Sequence, residues 1–303
     1  MTAWLFSGQL SEYAGMGSDF FAASAEARAL LAAASERCGI DLGAALVSGE
    51  GIGENRIAQP AVFVVSLAAA RELSRRGFAP GAISGYSLGN YAALVSAGAV
   101  SFDDALTILL AVSAAADRRG TQGAMGAVIG VPAAAVEETC AALRAEGDPV
   151  WIGNINAATQ LVLTGSARGV DRALAAFAPK ALKALRLPMS WPIHSPLMED
   201  VAGDVAPVVA SCRSISAPRV PLYAGHSARR IETAEEIAAL LTRQIALPSR
   251  WKDTVEAMFA AGQREFLEVG PGETLSRMLR WIVREGRCRP VGSLAAIDAL
   301  AAG

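Results

Sequence analysis

Gly81-Ala82-Ile83-Ser84-Gly85-Tyr86-Ser87-Leu88-Gly89-Asn90-Tyr91-Ala92-Ala93-Leu94-Val95 decides how this chain is read. Residues 81–84 are short and apolar enough for a buried strand. Residues 85–89 fit Gly-x-Ser-x-Gly, a serine on a sharp turn between a strand and a helix. The flanking glycines tolerate the tight backbone that lifts the hydroxyl clear of its neighbours. Asn90 to Val95 reads as the helix that leaves the turn, with its first amides facing an anion that develops beside the serine. Ser87 is therefore the candidate nucleophile. The alternative is a small-residue turn of no chemical importance.

The flanking sequence predicts an α/β-hydrolase-like large domain with a mostly parallel sheet. Ala3-Trp4-Leu5-Phe6 reads as its first strand, and a loop follows through Ser7-Gly8-Gln9 and Gly15-Met16-Gly17. Apolar spacing predicts helices over 19–38, 60–77 and 103–118, the last entered through the capping sequence Ser101-Phe102-Asp103-Asp104. The rhythm changes at Gly123. Strands over 125–131, 150–154, 160–164 and 182–188 alternate with helices over 132–146 and 167–178. This βαββαβ order predicts an inserted ferredoxin-like small domain over 124–190. The large domain is then 1–123 with 191–303. Its second part predicts a strand at 220–223, with Pro221 early or at an edge. Helices over 232–243 and 249–262, a strand over 265–270 and a closing helix over 273–285 complete it.

Hydrophobic residues make up 52% of the 303 residues and charged residues 18%, enough for a large core. The net charge of −2 gives no sign of nucleic-acid binding. The cysteines at 38, 140, 212 and 288 form no CxxC pair, which suits reduced thiols in a cytoplasmic, monomeric protein. Met1 to Ser7 carries no basic leader, and no apolar run is long enough to span a membrane. No metal site or permanently bound cofactor is expected.

A serine nucleophile needs a base, and the chain has two histidines. His194 lies in Ile193-His194-Ser195-Pro196-Leu197, where Pro196 suits a first helical position. Its plainer reading is a capping or core histidine. His226, in Ala224-Gly225-His226-Ser227, reads as a surface-loop residue. An oxyanion needs amide donors. Leu88 N–H follows the nucleophile, and Gln9 ends the first strand.

Together these stretches resemble the acyl-carrier-protein acyltransferases of the malonyl-transacylase type, found in fatty acid and polyketide synthesis. Ser7-Gly8-Gln9 with Gly15-Met16-Gly17 resembles the family's glutamine motif. Gly85 to Tyr91 resembles its serine motif, and Asn154 to Gly165 the hairpin of its small domain. Pro192 to Met198 resembles its histidine motif. Gln244 followed by Pro248 and Trp251, and Glu268-Val269-Gly270-Pro271-Gly272, resemble its C-terminal signatures. The resemblance implies a ping-pong reaction. His194 activates Ser87, the amides of Gln9 and Leu88 hold the oxyanion, and Gln244 lies near the pair. No acidic third member is evident, since the family orients its histidine by backbone or amide oxygens. The substrate arm is the phosphopantetheine of CoA or of a carrier protein, which would be the partner of a trans-acting enzyme. Tyr86, Val112, Asn156 and Ile193 are its expected substrate-binding residues.

Departures from the family bear on the substrate. Tyr86 stands where the family usually has histidine, and Asn90 where it often has glutamate. Val112 stands where the malonyl-using members carry the arginine that pairs with the free carboxylate. Arg118 and Arg119 lie too far along the helix to replace it. An unpaired carboxylate is costly to bury, so an acyl group without one is expected. Small residues Ser113, Ala114 and Ala115 would leave room for a group larger than malonyl. A thioester hydrolase and a malonyl transacylase with an atypical site are the alternatives. Helical spacing puts Arg277, Arg280, Arg284 and Arg287 along one side of the closing helix, a candidate docking stripe for an acidic carrier, with Lys180, Lys183 and Arg186 on the small domain.

Overall fold

Two sheets organise the chain in the computed structural model, which describes residues 2–301. The first part runs β1 (Thr2–Phe6), α1 (Ser18–Ala23), α2 (Ala25–Cys38), α3 (Leu42–Ser48), α4 (Asn55–Arg75), β2 (Ala82–Gly85), α5 (Gly89–Ser96) and α6 (Phe102–Arg118). Next come β3 (Ala124–Ile129), α7 (Ala133–Ala145), β4 (Val150–Ala157), β5 (Gln160–Gly165), α8 (Ala167–Phe177) and β6 (Lys183–Arg186). A 3-10 turn (Pro196–Met198) leads into α9 (Glu199–Ser211), then β7 (Leu222–Ala224), β8 (Arg229–Ile231) and α10 (Ala234–Arg243). The chain closes with α11 (Trp251–Ala260), β9 (Glu265–Val269), α12 (Thr274–Leu279), β10 (Arg287–Pro290) and α13 (Leu294–Ala301).

The larger sheet has the order β10-β9-β1-β2-β7-β8, parallel throughout except at the β7–β8 pair. β1 lies at its centre and is buried on both faces, as a nearly continuous apolar run requires. Trp4 and Phe6 pack on the side of α4 and α5, while Ala3 and Leu5 pack with Trp251, Val255 and Met258 of α11 on the other. The period of two in a strand thus builds two separate cores. α4 is long and apolar enough to cross a membrane, but 89% of its most apolar window is buried inside the protein. It is a core helix.

The smaller sheet is antiparallel, with the order β4-β5-β3-β6. Val128, Leu161 and Leu163 meet Val136 and Cys140 of α7 and Val170 and Phe177 of α8. The opposite face presents Met125 and Val162, which pack with Met189 and Ile193. The chain leaves and rejoins the larger layer at one place, where Gly123 N–H donates to the Ser190 carbonyl at 2.7 Å.

Most expected elements form, with informative exceptions. The helix expected over 19–38 is two, because Ser24 breaks it and caps the second through Ala27 N–H at 3.2 Å. α4 starts at Asn55 and carries Pro60 within it. α3, β8, β10 and α13 have weak sequence signals and were not expected. The closing helix ends at Leu279 rather than 285. Beyond it the chain tightens, with Trp281 N–H bonded to Met278 and Ile282 N–H to Leu279, and Ile282 and Val283 turn inward against the core.

This shortening removes the arginine stripe. Arg284 lies in a turn and Arg287 opens β10. Arg287 pairs in register with Glu265 at the start of β9, the end of the parallel strands opposite Ser87. β9 and β1 stand between it and β2. Arg277 is held by Glu273 at 3.0 Å, and Arg280 donates to the Arg277 carbonyl.

The first turn of α5 lies so close to β1 that a Cβ on Gly89 would stand 2.2 Å from the Phe6 carbonyl oxygen and 2.8 Å from that of Ser7. Both are backbone atoms and cannot swing away. Gly89→Ala should therefore cost at least about 2–3 kcal/mol. Gly203→Ala, at an exposed position inside α9 with open space around it, should raise stability by about 1 kcal/mol. Denaturant unfolding checks both. A Gly89→Ala protein with the native midpoint would contradict this packing.

Candidate active site

β2 ends at Gly85 and α5 begins at Gly89, so three residues turn the chain at the C-terminal end of the sheet. Tyr86 N–H donates to the Phe6 carbonyl at 3.0 Å, while Gly89 and Asn90 N–H donate back to Tyr86 and Ser87, each at 2.9 Å. Ser87 is held at φ +53°, a left-handed conformation that a side chain adopts only when its surroundings fix it. A Cβ on Gly85 would stand 2.2 Å from Asn90 N, which explains the first glycine of the motif.

His194 comes from the segment that returns from the smaller sheet and also has positive φ, +64°. Its Nε2 lies 2.8 Å from Ser87 Oγ. Its Nδ1 lies 2.9 Å from the Gln244 carbonyl and 3.0 Å from that of Leu247. Carbonyls only accept, so the proton sits on Nδ1 and Nε2 faces the serine as an acceptor. Burial pushes the imidazole below its usual value, against the two carbonyls, which favour the cation. The carbonyls belong to a segment that is itself tied to the smaller sheet. Ser249 N–H donates to Gly153 O at 2.7 Å, and Ile155 N–H donates to Ser249 O at 2.8 Å.

Among the described residues neither Gln9 N–H nor Leu88 N–H has a protein acceptor. The Gln9 side chain is anchored. Its Nε2 donates to Asn55 Oδ1 at 2.6 Å, and its Oε1 accepts from Gln59 Nε2 at 3.3 Å. Gln59 Oε1 in turn accepts from Ser113 Oγ at 2.9 Å. Two free amides beside an activated hydroxyl can stabilise an oxyanion.

Two cavities meet at Ser87 and His194. The inner one is closed by Gln59, Tyr91, Val112, Trp191 and Gln244. The outer one runs past Tyr86, Asn154, Met125 and Val162, between the two sheets. Gln9 and Ile193 border both, and among the described residues no lysine or arginine borders either. Arg119 is exposed and held by Asp204 at 2.7 Å, well outside.

The structure therefore brings Ser87, His194, Gln9, Leu88, Val112 and Ile193 together. Gln244 contributes its carbonyl to His194, and its side-chain Oε1 accepts from Asn90 Nδ2 at 2.8 Å. Tyr86 lines the outer cavity, edge-on to Trp251 at 5.3 Å, and burial pushes its phenol up to about 12. Asn156 is one step removed. It accepts from the Tyr86 hydroxyl at 2.9 Å, and Asn154 is the asparagine that borders the cavity. The expected room from Ser113, Ala114 and Ala115 is absent, because Ser113 is bonded to Gln59, Ala114 faces solvent and Ala115 is buried elsewhere. His226 is half-buried rather than a surface residue, with Nδ1 buried and unpartnered among the described residues. Gln59, Trp191 and Tyr91 were missed. Gln59 had a signal, as an amide in the apolar run Ile57-Ala58-Gln59-Pro60-Ala61-Val62.

The family described as acyl transferase domain matches residues 3–296. The malonyl CoA-acyl carrier protein transacylase of Bacillus subtilis is 32% identical over 296 residues, covering 93% of this chain and 90% of that one. The polyketide biosynthesis protein ThaF of Burkholderia thailandensis is 36% identical over 292 residues, covering 93% of this chain but 24% of that longer one. The chain also superposes, with TM-score 0.93 and 31% identity, on the structure described as PlMCAT:AntF (holo), a type II PKS acyl-carrier protein with its malonyl-transacylase. That match covers 100% of this chain and 99% of the other.

The buried His194 fixes a pH dependence. Its neutral, proton-accepting form persists below the usual imidazole value, because burial penalises the cation. The rate of Ser87 acylation should hold constant from alkaline pH down through 6.5 and fall only below it. A stopped pH–rate series on the first half-reaction checks this, and a fall centred above 6.5 would contradict the assignment.

Proposed function

This chain belongs to the acyl transferase domain family, and from that premise we propose that it carries an acyl group without a free carboxylate from a thioester donor to the phosphopantetheine thiol of an acyl carrier protein. Transfer to a carrier protein is supported by relatives named as carrier-protein transacylases and by a structural neighbour described as a complex with such a protein. The observation that carries the substrate reading is the inner cavity, which Val112 borders and which no lysine or arginine among the described residues borders; by the resemblance, Val112 stands where malonyl-using members carry arginine.

In this reading the Ser87 hydroxyl attacks the thioester carbonyl carbon as its proton passes to His194 Nε2. Gln9 and Leu88 N–H donate hydrogen bonds to the carbonyl oxygen as it gains negative charge. The carbon–sulfur bond then breaks, and the leaving thiolate takes the proton from the imidazolium. The carrier thiol repeats the sequence in reverse. It gives its proton to His194, attacks the ester, and Ser87 leaves with that proton. The acyl group occupies the inner cavity, and the pantetheine arm lies along the outer one, against Tyr86 and Asn154. No resident cofactor takes part. We read the larger unit, 1–123 with 191–303, as α/β-hydrolase-like and the smaller, 124–190, as ferredoxin-like, with the thiol arm passing between them.

Acylation by neutral acyl thioesters should exceed that by malonyl-CoA by about tenfold or more, since an unpaired carboxylate pays a desolvation penalty in this cavity. Val112→Arg should reverse the order, and Ser87→Ala should gain no acyl mass with any donor. Intact-protein mass spectrometry reads all three. Malonyl labelling of the native protein as fast as any neutral donor would overturn the substrate reading.

A further inference from the structure

The inner cavity is uncharged but far from apolar. Gln59 and Gln244 border it with buried amides, and Tyr91 with a buried phenol. Gln59 is committed on both sides, to Gln9 and to Ser113. Gln244 is not. Its Oε1 is taken by Asn90 Nδ2, but its Nε2 is buried and makes no well-formed hydrogen bond among the described residues, with the Tyr91 hydroxyl as its polar neighbour. Gln244 is only 4% exposed, so bulk solvent does not reach that donor, and what meets it is a water held in the cavity or the acyl group that displaces it. The Tyr91 hydroxyl lies beside the same amide, on a side chain that is also 4% exposed.

A buried N–H without an acceptor costs about 1–3 kcal/mol. Three kinds of acyl group meet that donor differently. A plain alkyl chain fills the cavity and leaves the amide unpaired, so the penalty stays. A carboxylate satisfies the amide but brings a charge that nothing in the cavity balances. A hydroxyl or carbonyl oxygen accepts from the amide and brings no charge. The free volume is about 40 Å3, whereas one water needs roughly 10–15 Å3 by the same measure. That leaves room for only a few heavy atoms beyond Ser87, among Trp191, Val112 and Tyr91.

We propose that the cavity beyond Ser87 selects short, uncharged acyl groups that carry a hydroxyl or carbonyl oxygen, which accepts from Gln244 Nε2 beside the Tyr91 hydroxyl. This rests on the acyltransferase reading given above and names the substrate class of that site. Gln244 then has two separate duties. Its backbone carbonyl positions His194, and its side chain sets specificity.

The test uses the full chain and three N-acetylcysteamine thioesters. Butyryl and 3-hydroxypropionyl have the same number of heavy atoms and differ in a methyl against a hydroxyl, and malonyl supplies the charged arm. The initial rate of acyl-mass gain on the intact protein is read for each. The native protein should take 3-hydroxypropionyl about tenfold faster than butyryl, the ratio expected for one satisfied buried donor. Gln244→Met keeps the backbone carbonyl and removes the amide, and Tyr91→Phe removes the neighbouring hydroxyl. Each should bring the hydroxypropionyl-to-butyryl ratio down several-fold, toward one. Because the ratio is taken within one protein, general loss of activity in a variant cancels. A native ratio of one or less, with malonyl still slow, would overturn the oxygen subsite and leave the neutral-acyl reading standing. A native ratio that neither variant lowers would overturn the assignment to Gln244 and Tyr91. Malonyl faster than both neutral donors would overturn the reading on which the proposal rests.

Discussion

The bifurcated bond from His194 Nδ1–H to the carbonyls of Gln244 and Leu247 is the contact on which the site depends. It leaves Nε2 free to accept from Ser87, and it replaces the carboxylate that orients the histidine of a three-membered triad. Two neutral dipoles stabilise the imidazolium less than a full charge would. Burial lowers the basicity of the ring further. The result is a base that stays unprotonated at neutral pH and gives its proton up readily to a leaving thiolate. Acyl transfer between thiols, whose leaving groups are good, asks no more of it.

That bond also joins the two layers. The segment that supplies both carbonyls continues into Ser249, which pairs with β4 of the smaller sheet, and His194 itself lies just past the point where the chain rejoins the larger one. Ser87 and the free amides of Gln9 and Leu88 belong to the turns that follow β1 and β2. Met125, Asn154 and Val162, which border the outer cavity, are carried by the smaller sheet, so the cavity and the base both rest on the contact between the two layers.

The serine turn was legible because its demands are local. Gly85 is required by Asn90, a few residues on, and although Gly89 is required by the distant end of β1, both glycines sit within one five-residue pattern between a short strand and a helix. The smaller sheet was legible for a similar reason, as its elements follow one another with short turns. The polar lining of the inner cavity was not legible. The chain Gln9–Gln59–Ser113 joins residues that are far apart in sequence and share no spacing rule. The Gln244 amide is oriented by Asn90, from another helix, which donates to its oxygen. The small residues after Val112 suggested space, but helical periodicity points Ala114 to solvent. The arginines from 277 to 287 suggested a stripe, and inward packing of Ile282 and Val283 ends the helix that would have aligned them. Apart from Ala114, whose exposure follows from the helix itself, long-range contacts decided these points.

The central claim is that an acyl group on Ser87 is handed to a carrier thiol. It is tested most directly by isolating the acylated protein and mixing it with a carrier protein bearing phosphopantetheine, or with buffer alone, and following both masses with time. The account predicts that the acyl mass leaves Ser87 and appears on the carrier far faster than it is lost in buffer. Loss at the same rate in both mixtures, with no acyl mass on the carrier, would contradict it.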